Sequence, residues 1–400
     1  MSFRHLAEAS VRPSRYQRSL ATRLGRVTLA TLAGALALSG TAGIAGASTH
    51  QSKNSASTSN PYAKVEKQLT LLEKPPSGVS LLETGSTLLY PVISEWASQY
   101  SAVRVTTAGT GSGTGISDAT NGTVQIGASD AYLSSSASSN LLNIPVDVSA
   151  QQIDYNLPGL STKHLHLDAT VINDIFDGSI TNWNDRAIAS LNPGVKLPNM
   201  TIVPIHRSDG SGDTFMFSSY LAFQDPTSWV PSHGGPNTSV TWPNVTNALA
   251  ENGNGGVLAG CEKVPGCIAY IGISWLRSAI AFGLGDAALE NGSGKYVLPT
   301  PGNIASEVAS YKKIPTSAAI SLINSKFKSA RFGYPIVNFE YAIVNTNQSS
   351  AATAQAIKAF LAWGMDPRHG SSDSELTKFY FHPLAPAAMQ IAVNLLQRIG

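Results

Sequence analysis

Small hydroxyl residues, glycines and one arginine recur in this chain in short groups that could hold an oxyanion. One group is Gly85-Ser86-Thr87-Leu88-Leu89 and a second is Gly109-Thr110-Gly111-Ser112-Gly113. A third is Arg207-Ser208-Asp209-Gly210-Ser211-Gly212-Asp213. Each stands just before a stretch with helical patterning. Free N–H groups converge at a helix start and the macrodipole favours negative charge there, while glycine lets an anion approach the backbone and Ser or Thr adds a hydroxyl donor. Arg207 adds a planar fork suited to a tetrahedral oxyanion. One such turn alone is better read as a helix cap or tight turn; three in one chain, with Arg207 beside the last, favour an anion site. Asp130, closing Gly127-Ala128-Ser129-Asp130, looks misplaced in such a site unless the anion carries a proton, which a carboxylate accepts. That condition fits phosphate and not sulfate.

Other chemistries fit less well. There is no G-x-x-x-x-G-K-[ST] and no G-x-G-x-x-G. The run Gly127 to Ala131 narrowly misses a serine nucleophile elbow, with His369 or His382 downstream as a candidate base. His164 and His166 could share a metal, but no further ligands stand beside them, and a surface pair is the plainer reading.

The elements that must position these turns alternate strand-like and helix-like. Strands are expected at 103–109, 124–129, 152–157, 201–206, 267–274 and 336–344, which argues for an α/β architecture. Asp168 should cap a helix carrying Val171, Ile172, Ile175 and Phe176, stopped at Asp177-Gly178. Ile357, Phe360, Leu361 and Gly364 share a face, as do Met389, Ala392, Val393 and Leu396.

The chain has 400 residues, 42% hydrophobic and 13% charged. That is enough for a large core and too little charge for a disordered chain. Its net charge of +2 comes from the N-terminus: residues 1–47 carry six Arg and one Glu, leaving 21 Lys and Arg against 24 Asp and Glu. A nucleic-acid partner is not expected, and an anion must be held by a local site. Residues 1–47 read as a secretory signal, an Arg-rich start followed by an uncharged 27–46 and Ala45-Gly46-Ala47; a retained membrane anchor is the alternative. Residues 48–79 read as a flexible Ser-rich leader, with the fold beginning near residue 80. The only cysteines, Cys261 and Cys267, are expected to form a disulfide, and neither can serve as a lipid-bearing N-terminal cysteine. The expected localisation is therefore outside the cytoplasm: cell surface, periplasmic space or medium.

The segments ETGSTLLYPV (83–92), GTGSGTGISDA (109–119), IGASDAYLS (126–134) and HRSDGSGDTF (206–215) resemble the phosphate-binding protein of the bacterial phosphate-specific ABC transporter. The similarity runs on through SAQQIDYNLPGL, ENGNGG, GCIAYIGIS and GYPIVNFEYAIVN, and is nearest the actinobacterial, mycobacterial-type branch. The resemblance implies a two-lobed periplasmic-binding-protein fold of type II, with a cleft between two mixed-sheet domains: residues 80–157 with 340–400 as lobe I and 158–339 as lobe II. It implies phosphate held by Thr87, Leu88, Ser112, Asp130, Arg207, Ser211, Gly212 and Asp213, with Asp209 steadying Arg207. At Asp213 many members carry Thr, so a hydroxyl donor is lost and the side chain's role is open. The implied protein is a receptor and not an enzyme, without cofactor or metal, a monomer that delivers phosphate to a membrane permease. Arsenate, sulfate or molybdate receptors and a secreted serine hydrolase or phosphatase are the alternatives.

Overall fold

The computed structural model describes residues 60–133, 137, 139–311, 313–323 and 333–400. The signal expected at 1–47 and the first part of the leader lie outside the described residues. Twelve strands are present among them: β1 (Ser80–Gly85), β2 (Arg104–Thr106), β3 (Ile126–Ser129), β4 (Leu141–Tyr155), β5 (His166–Leu167), β6 (Val203–Arg207), β7 (Leu249–Glu251), β8 (Cys267–Gly272), β9 (Gly285–Asp286), β10 (Ala288–Glu290), β11 (Tyr296–Val297) and β12 (Val337–Asn345).

The main sheet runs in the order β2-β1-β3-β12-β4-β8-β6-β7, with β9 also on β4, and β11-β10-β5 form a small second sheet. It is a mixed sheet of an α/β protein. β1, β2 and β3 are parallel, as are β6, β7 and β8, while β12 and β4 run antiparallel to their neighbours. β4 joins the two parallel groups. Its residues Leu141 to Ala150 pair with β12, and Gln151 to Tyr155 pair with β8. Nearly every residue of β4 is buried, since helices or strands cover both faces.

Local signals explain many element ends. Asp168 accepts a hydrogen bond from Val171 N at 2.8 Å, capping the helix Ala169–Phe176, and Gly178 leaves it at φ 88°. In the helices Ala351–Met365 and Pro386–Leu396 the expected apolar faces are buried. Cys261, near the end of the helix Gly253–Lys263, is disulfide-bonded to Cys267 at the start of β8, with their Cα atoms 5.3 Å apart. Gly266 makes that turn at φ 88°, where a Cβ would stand 2.3 Å from Thr201 O.

The leader ends earlier than residue 79. Ala63–Leu72 is a helix with Val65 and Leu69 buried, and it packs against the helices Ala351–Met365 and Pro386–Leu396. Tyr62, Val65, Leu69 and Leu72 recur at helical spacing, an apolar stripe hidden by the polar composition around it.

Candidate functional site

The glycine-serine turns, which follow β1, β2 and β6, meet Asp130 at the end of β3. Ser86 N donates to Ala128 O at 2.9 Å, tying the first turn to β3. The Ser86 hydroxyl accepts from Leu88 N at 3.1 Å and Leu89 N at 2.9 Å, and donates to Asp130 Oδ1. Gly111, at φ 95°, starts the helix Ser112–Asn121, and Gly113 N donates to Gly210 O at 2.8 Å. Ser112 Oγ lies 3.3 Å from both Asp130 Oδ2 and Asp130 N. Ser211 caps the helix Gly212–Gln224 by accepting from Thr214 N at 3.2 Å, which leaves its hydroxyl proton to be donated elsewhere. A Cβ on Gly212 would stand 2.4 Å from Asp130 Oδ2 and 2.6 Å from Ser112 Oγ, so glycine is required for this approach.

Arg207 ends β6, its backbone N–H donating to Tyr270 Oη at 2.9 Å. Its guanidinium is almost fully buried and sits between two carboxylates. Nε donates to Asp209 Oδ1 at 2.7 Å and Nη2 to Asp209 Oδ2 at 2.5 Å, while Nη1 reaches Asp213 Oδ2 at 2.6 Å. Three of the five guanidinium N–H groups are thus engaged, and two remain for a further acceptor. Burial opposes the charge on Arg207, but Asp209 and Asp213 outweigh it and raise its pKa; burial likewise opposes ionisation of Asp209, which Arg207 overcomes and holds below its usual value.

Asp213 accepts from Asn254 Nδ2 at 2.7 Å as well as from Arg207. Burial, then the neighbouring Asp130, push Asp213 up to about 7 against the pull of Arg207. Burial also raises Asp130, against hydrogen bonds and Arg207. Glu340, fully buried beside Asp130 on β12, is raised by burial and by Asp130, and its Oε1 accepts from Ser149 Oγ at 2.5 Å. Asp130 and Asp213 lie near Arg207 and Glu340 lies against Asp130, so these buried carboxyl groups can share or release protons together. Such a site can hold an anion that itself carries a proton.

Thr87 and Leu88 are engaged through other residues. Thr87 Oγ1 accepts from Asn254 N at 3.1 Å and Nδ2 at 3.0 Å, its carbonyl from Trp275 Nε1 at 2.9 Å, and the Leu88 carbonyl from Ser274 Oγ at 2.8 Å. Asn254 therefore links the first turn to Asp213, with its own Oδ1 fixed by Gly272 N at 2.7 Å. Ser86 stood in the first of the expected turns, though not among the residues expected to hold the ion; reading single residues from the sequence missed Gln151, Asn254, Tyr270 and Glu340. Asn254 lay in the glycine-rich ENGNGG, and Gln151 and Glu340 were polar residues within strand-like runs; Gln151 Nε2 donates to Asp213 O at 2.9 Å.

Among the described residues, neither histidine weighed as a base for Ser129 is hydrogen-bonded to it. Ser129 is buried with its hydroxyl on Ala131 O at 2.6 Å, His382 Nδ1 lies 2.7 Å from Pro383 O, and His369 pairs with Glu73. His164 Nδ1 is 3.0 Å from Asp286 O, and His166 stacks on Tyr296. Among the described residues the metal-compatible cluster is Glu73, Asp366 and His369, whose Asp366 is already bonded by Arg368.

A family model described as a PBP superfamily domain matches residues 45–368. The phosphate-binding protein PstS of Methanocaldococcus jannaschii is 33% identical over 321 residues, covering 74% of this chain and 81% of the relative. The phosphate-binding protein PstS 3 of Mycobacterium leprae is 34% identical over 268 residues, covering 63% and 68%. Among solved structures, the phosphate-binding protein from Stenotrophomonas maltophilia superposes with a TM-score of 0.60 at 19% identity, covering 79% of this chain and 93% of that one. It shares the fold.

Proposed function

Since the chain belongs to the PBP superfamily and, within it, to the PstS phosphate-binding proteins, we propose that it captures inorganic phosphate outside the cytoplasm and hands it to an ABC transporter for uptake. The observation that carries this reading is the meeting of Ser112, Asp130 and Gly212 beside the Asp209–Arg207–Asp213 group. Helix-start N–H groups, serine hydroxyls and the two spare N–H groups of Arg207 supply donors, and Asp130 supplies an acceptor for the proton on phosphate. In this reading Thr87, Leu88, Ser112 and Asp130 contact the ion from one lobe, and Arg207, Ser211, Gly212 and Asp213 from the other, with Asp209 orienting Arg207. Lobe I comprises 80–157 with 340–400 and lobe II 158–339; the change of β4 partners between Ala150 and Gln151 supports a crossing close to the first boundary.

The protein acts as a binding receptor without turnover, works as a monomer, and docks on a membrane permease. It is exported and held or released without a lipid-bearing cysteine. No helix among the described residues is long and apolar enough to cross a membrane. Titration of phosphate into anion-stripped protein by calorimetry tests the reading. Saturable one-to-one binding with sulfate excluded is expected; absence of phosphate binding, or equal binding of sulfate, overturns it.

A further inference from the structure

A second feature lies away from the anion site. A cavity of about 360 Å³ is walled by Leu276, Ile280, Leu284, Leu298 and Tyr380, with Asp286 among its polar lining residues. Asp286 lies directly opposite Asp154 in the β4–β9 pairing, so both carboxyls project from the same face of the sheet. Asp154 is fully buried and Asp286 only 8% exposed, and Oδ1 of each has no hydrogen-bond partner. Gln152 Nε2 serves Asp154 Oδ2 at 2.7 Å, but nearby hydroxyls are committed elsewhere: Tyr155 Oη to Leu160 O and Tyr334 Oη to Gln151 O. His164 Nδ1 meets the Asp286 carbonyl and not its carboxyl, and Arg277 lies over the ring of Tyr380.

Two buried carboxyls facing one another are unfavourable unless a proton or a cation is shared between them. Burial raises Asp286 to about 8, so in the empty protein a proton fills that role near neutral pH. A bare hard cation would need six or more oxygen ligands, which these apolar walls do not offer. The walls suit a hydrocarbon body, and the orphaned carboxyl suits a single compact positive donor.

We propose that this cavity is a second binding site, taking a small molecule with an apolar body and one primary ammonium group seated against Asp286. The site is independent of the phosphate reading. The test is calorimetric titration of the full-length, phosphate-saturated protein at neutral pH with 2-phenylethylammonium and with 2-phenylethanol, which has the same body without the charge. The ammonium should bind saturably and at least tenfold tighter than the alcohol. Asp286→Asn should weaken the ammonium at least tenfold and leave the alcohol within threefold. Ile280→Trp, at an exposed position of the wall, should weaken both probes without changing phosphate binding. Equal binding of the two probes to the wild type would show an apolar cavity only and overturn the proposal. So would the absence of saturable ammonium binding, an Asp286→Asn protein that binds as wild type does, or indifference of both probes to Ile280→Trp, an arm that holds even if Asp286→Asn does not fold.

Discussion

Gly212→Ala separates closure of the cleft from stability of the fold. The added methyl would stand 2.4 Å from Asp130 Oδ2, 2.6 Å from Asp130 Cβ and 2.6 Å from Ser112 Oγ. Ordinary contacts lie near 3.5 to 4.0 Å, so the two sides must part by about 1 Å there, or Asp130 must swing away from Ser86 and Ser112. Overpacking of this kind costs about 1–3 kcal/mol, and an anion hydrogen bond lengthened by about 1 Å is no longer made. We expect a loss of about 2–3 kcal/mol in phosphate binding, roughly 30- to 150-fold in affinity. If, as in the proposed two-lobe reading, the lobes stay apart without phosphate, then, because Ala is a better helix residue than Gly at the first position of Gly212–Gln224, the melting temperature should hold or rise slightly. Paired calorimetric titrations and phosphate-free thermal scans of both proteins measure the two effects. An affinity within threefold of wild type would refute the reasoning. So would a phosphate-free protein markedly less stable than wild type, because Gly212 and Asp130 would then be in contact whether or not an anion is bound.

Arg207→Ala should cost about 2–5 kcal/mol of phosphate binding, roughly 30-fold to several thousand-fold, because the anion loses its cation and Asp209 and Asp213 lose their partner; titration showing less than a threefold change places Arg207 outside the site. Asp130→Asn should narrow the gap between phosphate and sulfate by removing the charge that repels an unprotonated oxygen, and paired titrations at one pH in which the variant discriminates as sharply as wild type would assign selectivity elsewhere, with Asp213 next to test. Glu83, 3% exposed on β1, has its pKa raised by burial to about 8, against a weaker hydrogen bond to Ala108. The folded state therefore holds this proton more tightly than the unfolded chain: the contribution is complete below about 4.5 and is lost as pH rises to about 8, so Glu83→Gln should flatten the decline of melting temperature between pH 5 and 8.5, and an unchanged slope would show that Glu83 does not titrate in that window.

Legibility in the sequence followed range. Asp168 and Gly178 bracket their helix with signals a few residues long, and Gly111, Ser112, Ser211 and Gly212 marked turns because their residue types suit helix starts and close approaches wherever they fall. The disulfide was legible because five residues separate its cysteines. The first half of β4 was not, because a strand buried on both faces carries no alternation to distinguish it from other apolar runs. The helix Ala63–Leu72 was hidden for a different reason: its stability comes from packing on the far-off helices Ala351–Met365 and Pro386–Leu396, and its own composition is that of a tether. The same range decides the site. The sequence determined which groups could hold a protonated anion. The Asp209 partner of Arg207 was expected from the resemblance; only the tertiary structure added Asp213 to it, placed Glu340 beside Asp130, and made Asn254 the link between Thr87 and Asp213, because the last two pairings depend on which strands and helix starts the fold brings together.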